Sequence, residues 1–129
     1  MSRISPSTKI YIDKSAIPNS GKGVFASENI KKGEVIEVAP ILVLDFQDFI
    51  DTKWNVLFEY YFWMDDFVAL ALGFASLYNH SIKPNCKYEL KRKEKIITFT
   101  SVKDILKDEE ICFNYKGSLN PKTPLWFEK

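Results

Sequence analysis

Ala71-Leu72-Gly73-Phe74-Ala75-Ser76-Leu77-Tyr78-Asn79-His80-Ser81-Ile82-Lys83-Pro84-Asn85 changes character at its middle, where an apolar run ends abruptly in a polar Asn-His-Ser turn. Residue chemistry alone favours a capped helix end with a core histidine bonded to backbone, since Asn and Ser are common at such boundaries. The histidine is the only one in the chain, so the flanking sequence has to decide.

Downstream, Cys86-Lys87-Tyr88-Glu89-Leu90 and Ile96-Ile97-Thr98-Phe99-Thr100 flank the charged stretch Lys91-Arg92-Lys93-Glu94, a pattern that predicts a hairpin with a solvated turn. Its basic tip is read as solvated, not as a nucleic-acid contact. Further on, Glu109-Glu110-Ile111-Cys112-Phe113-Asn114-Tyr115 is a short strand ending in tyrosine. Upstream, Asp45 to Trp63 carries Phe46, Phe49, Ile50, Trp54, Leu57, Phe58 and Tyr61 near three- and four-residue spacing, which predicts a helical insert of one or two short turns. The N-terminal third reads as strands and turns: Lys9 to Ile12, the turn Asn19 to Gly23, Val24 to Ala26, and Glu34 to Leu44. The last of these is either one strand buried on both faces or two strands broken at Pro40, and a proline favours the break.

The layout of Ile30 to Ile36 is echoed in Ile105 to Ile111, each with a residue tolerant of positive φ just before a strand, Gly33 in one and Asp108 in the other. These read as two similar turns and not as a repeat architecture.

At 129 residues the chain supports one core, and 18 basic against 17 acidic side chains leave no field to steer it to nucleic acid or an anionic membrane. Phe67 to Tyr78 falls short of the roughly 20 residues a membrane helix needs, and Met1 to Pro6 has no apolar signal core, so an intracellular protein is expected. Cys86 and Cys112 lack C-x-x-C spacing and have one histidine for company, which provides neither a disulfide framework nor a conventional zinc site. A cofactor is therefore expected to be organic, with no metal.

Gly21-Lys22-Gly23-Val24-Phe25 completes the picture. A lone G-x-G between strands is an ordinary turn, and this one lacks the third glycine and following helix of a dinucleotide fingerprint. Taken in order, however, G-x-G-V-F, N-H-S-x-x-P-N and E-E-I-x-F-N-Y resemble the motif series of SET-domain protein lysine methyltransferases. The resemblance runs from about Tyr11 to Tyr115 and is greatest to the minimal viral and bacterial SET proteins, which share Ala-Leu-Gly-Phe before Asn-His-Ser and a Tyr-x-Phe matching Tyr60-Tyr61-Phe62.

That resemblance implies a mainly β fold of small sheets with a C-terminal pseudoknot, an exception to the rule against threading. It implies one domain over residues 1–129, with a motif-bearing core at about 11–115 and a covering segment at about 116–129. It further implies S-adenosylmethionine as cofactor, with Gly21 and Gly23 presenting backbone to its methionine part, Lys22 close by, and Asn79 and His80 holding its amino-acid and adenine portions. Tyr115 matches the family's active-site tyrosine. Trp126 is a candidate for covering the cofactor, Tyr60 for lining the lysine channel, and Phe113 for setting how many methyl groups are added. The implied partner is a protein lysine, on a histone tail or another protein, this chain's own lysines included; a homodimer is expected from the minimal relatives and the apolar C-terminus. The compartment is cytoplasmic, or nuclear if the substrate is a histone. Many family members carry arginine and cysteine where this chain has Ser76 and Ile82. The competing class is a SET-like interaction module without turnover, and the joint presence of Asn79, His80 and Tyr115 argues against it.

Overall fold

Two left-handed residues set the frame. Gly33 has φ +87° and Asp108 φ +69°, and each closes a turn from which a strand departs, as the sequence echo predicts. The computed structural model describes residues 3–49, 53, 56–64 and 66–115. Within them the two turns are related as if by a two-fold axis. Ile30 and Ile105 exchange two backbone hydrogen bonds of 2.8 Å. Glu34 caps its turn by accepting the Lys31 N–H at 3.2 Å, and Glu109 does the same for Leu106 at 3.0 Å. Lys32 N–H reaches across to Asp104 at 2.9 Å, and Lys107 N–H reaches back to Asn29 at 2.8 Å. The echo is thus a reciprocal clamp between the two halves of the chain.

The described residues hold the strands β1 (Ile10–Lys14), β2 (Lys22–Ala26), β3 (Val35–Leu44), β4 (Phe62–Trp63), β5 (Val68–Ala71), β6 (Asn79–His80), β7 (Cys86–Lys91), β8 (Ile96–Ser101) and β9 (Glu110–Phe113), of which β3 and β9 depart from the two turns. They form a four-stranded sheet in the order β1-β2-β9-β6 and a five-stranded sheet in the order β4-β5-β3-β8-β7. β7 and β8 form the expected hairpin, turning at Lys95 with φ +58°.

Two expectations are corrected. β3 is not broken at Pro40. Instead the strand changes partner there: Val35 to Pro40 pair with β8, and Ile41 to Leu44 pair with β5. The missing N–H falls at the end of one ladder, where it costs least, while the Pro40 carbonyl accepts the Leu72 N–H at 3.0 Å. The capped-helix reading of residues 71–85 is also wrong. The segment is the end of β5, a run of turns, and β6, whose strand geometry comes from parallel pairing of Asn79 with Cys112 and His80 with Phe113. Where a helical insert is expected, the described residues hold two single 3-10 turns, Phe46–Phe49 and Val56–Glu59.

The core joins both sheets through aromatic rings. Tyr78 stacks on Phe99 with centroids 4.2 Å apart, and Phe113 packs among Phe62, Tyr78, Tyr88 and Phe99. Around β9 the chain makes a strap. Ser81 N–H donates to the Phe113 carbonyl at 3.1 Å and Asn85 N–H to the Cys112 carbonyl at 3.2 Å. The Asn85 side chain accepts from Cys112 N–H at 2.9 Å and donates to the Glu110 carbonyl at 2.8 Å. β9 is thereby held along one side by residues 79–85.

Asn85 is buried, so its removal leaves the Cys112 N–H and the Glu110 carbonyl without their partner. Asn85→Ala is expected to lower stability by about 2–3 kcal/mol, mostly from these orphaned groups. The urea midpoint checks it, and an unchanged midpoint would show the strap to be dispensable.

Candidate active site

The Gly-Lys-Gly turn uses its two glycines for different reasons. Gly21 has φ +66° with open space where a side chain would stand, so only its backbone conformation needs glycine. Gly23 is the reverse. A Cβ there would overlap the Glu110 carboxylate and lie 3.0 Å from Asn79 Nδ2. The close approach that glycine permits is therefore to protein groups.

Those groups form a network. Asn79 Nδ2 donates to Glu110 Oε2 at 2.8 Å and to the Lys22 carbonyl at 3.2 Å. Glu110 also accepts from the Ser15 hydroxyl at 2.8 Å, which ties the residue after β1 to β2, β6 and β9 at one point. With its amide donors engaged, Asn79 keeps Oδ1 as an acceptor.

His80 Nδ1 accepts the Tyr115 N–H at 3.0 Å, which puts the proton of a neutral imidazole on Nε2. His80 thus bonds to backbone, as the structural reading of the sequence has it, yet it also faces the cavity described below. The Tyr115 hydroxyl donates to the Tyr78 carbonyl at 2.9 Å. Its backbone and its hydroxyl are therefore both held by the strand and turn that carry Tyr78 and His80.

These residues surround one cavity of about 590 Å3, within the size range of small-ligand sites. Gly21, Lys22, Tyr60, Asn79, His80 and Tyr115 all line it, together with Ser76, Leu77 and Tyr78. Tyr60 is 39% exposed, on the cavity wall and not in the core. Gly23 and Phe113 are not in the lining: Gly23 seats the Asn79–Glu110 pair from behind, and Phe113 is 3% exposed within the aromatic core. Trp126 and the 116–129 segment lie outside the described residues. Among the described lining residues Lys22 is the only lysine or arginine, and no carboxylate is present. Ser76 turns its hydroxyl onto the Ala71 carbonyl at 2.6 Å.

Glu110, which holds Asn79 from behind the cavity, is the residue that sequence reading misses; beside Glu109 it looks like one of two solvated acids. Cysteine chemistry has no foothold. Burial pushes the Cys112 thiol up to about 12, with the Glu110 charge adding to it, and burial raises Cys86 further. Among the described residues no three His, Cys, Asp or Glu side chains gather in a way that could hold a metal ion. No helix among them is long and apolar enough to cross a membrane.

Fold and site together define a SET-type domain, and the sequence matches the SET domain family over residues 21–116. The chain belongs to that family. It is similar to a histone-lysine N-methyltransferase, H3 lysine-37 specific, of Schizosaccharomyces pombe, with 33% identity over 110 residues, which are 84% of this chain and 71% of the relative. A candidate histone methyltransferase of Plasmodium falciparum has a crystal structure that superimposes with a TM-score of 0.66 at 32% identity, covering 85% of this chain and 99% of that one. The S-adenosylmethionine-bound polycomb repressive complex 2 of Chaetomium thermophilum shares the fold, with a TM-score of 0.67 at 23% identity over 86% of this chain and 15% of that one.

Proposed function

We propose that this chain transfers methyl groups from S-adenosylmethionine to the lysine ε-amine of a protein, with histone H3 the first acceptor to test. The observation that carries this reading is the convergence of Gly21, Lys22, Asn79, His80 and Tyr115 on one cavity, from segments far apart in sequence. The S. pombe relative supports the choice of acceptor.

The cavity suits a zwitterionic amino acid joined to a flat heterocycle. Asn79 Oδ1 offers an acceptor to an ammonium, and Lys22 offers a positive charge to a carboxylate, in place of an arginine at Ser76. His80 and Leu77 supply a ring face and an apolar wall. When bound, the cofactor supplies a methyl group on a sulfonium, which leaves to an amine by in-line displacement. No acid catalyst is needed. What the protein contributes is alignment, worth roughly 7–11 kcal/mol in favourable cases, and a site that favours the neutral amine. The Tyr115 hydroxyl donates to the Tyr78 carbonyl, which holds it in a fixed position on the cavity wall. It serves as an orienting group and not as the sole base.

Incubation of histone H3 and other candidate proteins with isotope-labelled S-adenosylmethionine, followed by mass spectrometry, tests the proposal. Label on lysine is the expected result. Failure of S-adenosylmethionine to bind in isothermal titration would overturn the enzyme reading in favour of an interaction module.

Phe113 bears on the product. Its ring lies behind the cavity wall, 5.2 Å from that of Tyr115, and carries no polar group to hold a water there. The wild type is expected to progress beyond monomethyl-lysine, and Phe113→Tyr to stop earlier, because a hydroxyl there anchors a water where an added methyl would turn. A time course by intact mass reads this directly. Monomethyl product alone from the wild type would end the idea.

A further inference from the structure

Glu37 stands in the interior of β3, 6% exposed, and its carboxylate meets no described lysine, arginine or histidine. Its two oxygens hold the ends of one short loop instead. Oε2 accepts the Phe74 N–H at 3.0 Å, and Oε1 accepts the Tyr78 hydroxyl at 2.8 Å. The loop can pass this close because residue 73 is glycine, with φ +64°: a Cβ there would lie 2.8 Å from Oε2. Burial, reinforced by the Glu37 charge, pushes the Tyr78 phenol well above its ordinary value, which keeps its hydroxyl a donor. Burial likewise raises the Glu37 carboxyl above the usual range, against the two hydrogen bonds that lower it.

Tyr78 carries this constraint to the cavity. Its ring is clamped between the Glu37 bond at one end and the Phe99 stack, with centroids 4.2 Å apart, along its face. Its carbonyl is the group that accepts the Tyr115 hydroxyl at 2.9 Å. A ring fixed at its far end fixes the backbone at its near end, so a carboxylate on β3 sets the position of an acceptor at the reacting centre. We propose that Glu37 is a positioning residue for methyl transfer, acting through Tyr78 to hold the carbonyl that accepts the Tyr115 hydroxyl hydrogen bond. This rests on the reading of Tyr115 given above. It adds a connection that the motif series does not contain, since neither Glu37 nor Tyr78 belongs to the residues that face a cofactor through side-chain polar groups.

The test compares Tyr78→Phe, Glu37→Gln, Glu37→Ala and the double variant Glu37→Ala/Tyr78→Phe in the full chain. Histone H3 serves as acceptor, and cofactor Kd is measured separately by titration. Tyr78→Phe is expected to lower kcat roughly tenfold with cofactor Kd changed less than about twofold, a split that loss of general stability would not produce. Glu37→Gln keeps an oxygen for Phe74 and an amide for the Tyr78 hydroxyl, and is expected to retain most of the wild-type kcat. The double variant should be no slower than Glu37→Ala alone, because both changes cut the same link. Wild-type kcat in Tyr78→Phe, or losses that multiply in the double variant, would overturn the proposal. If Glu37→Ala does not fold, Tyr78→Phe and Glu37→Gln still decide.

A second readout separates this inference from the functional reading. The chain is labelled with fluorotyrosine, and the Tyr115 resonance is assigned by its loss in Tyr115→Phe. That resonance is expected to move in Tyr78→Phe and to stay near its wild-type position in Glu37→Gln. Absence of turnover in the wild type counts against the methyltransferase reading alone, whereas an unmoved Tyr115 resonance in Tyr78→Phe sinks the positioning role whatever the activity.

Discussion

Tyr115→Phe is expected to reduce kcat for lysine methylation by about 10²–10³, while cofactor affinity changes little. The magnitude is that of deleting one fixed polar group at a reacting centre, where it acts without reorganisation. The structure makes this substitution unusually selective. The hydroxyl bonds to the Tyr78 carbonyl at 2.9 Å, and the ring stays seated against His80 and Phe113 at centroid distances of 5.1 and 5.2 Å. The Tyr115 N–H continues to bond to His80 Nδ1 at 3.0 Å, so His80 keeps its place on the cavity wall. Stability should fall by about 1 kcal/mol, the net worth of one hydrogen bond, which a thermal melt can follow. Single-turnover methylation with calorimetric cofactor titration separates the terms. Wild-type turnover in the variant would remove Tyr115 from the reacting centre.

What could be read from the sequence followed the range of the interactions involved. Gly33, Asp108 and the Lys91 to Glu94 turn were legible because a positive φ or a charged turn is decided within a few residues. The order of the three motifs carried the family, and with it the mainly β fold. Pro40 misleads because a proline's local effect depends on which neighbour its missing N–H faces, and here β8 gives way to β5 at that residue. β6 is two residues long and owes its geometry wholly to β9, more than thirty residues later, so residues 71–85 offered no strand pattern to detect. Glu110 and Glu37 escape for the same reason. One reads as half of a solvated acidic pair and the other as a strand residue of the wrong polarity, until Ser15, Asn79, Phe74 and Tyr78 are brought against them.

The second large effect is expected at Gly23. Its φ is not in the left-handed region, so alanine is acceptable to the backbone and the consequence comes from space alone. The added Cβ overlaps the Glu110 carboxylate and stands 3.0 Å from Asn79 Nδ2, in a network that Ser15 and the Lys22 carbonyl also hold. The flexible end of Glu110 can move, but only by giving up Asn79, and an unheld Asn79 amide no longer fixes which atom it turns to the cavity. Gly23→Ala is therefore expected to weaken S-adenosylmethionine binding more than tenfold, at a stability cost of about 1–3 kcal/mol for the overpacked site. Gly21→Ala is the matched control. It meets nothing within 4 Å and strains only a backbone at φ +66°, so it should lose about 1–2 kcal/mol of stability with a smaller change in cofactor affinity. Glu110→Ala in the Gly23→Ala background vacates the overlapped space and should recover part of the lost stability without restoring affinity. Calorimetry of the four proteins decides it: equal affinity losses at Gly21 and Gly23 would show that the turn's backbone, and not the Asn79–Glu110 pair behind it, governs cofactor binding.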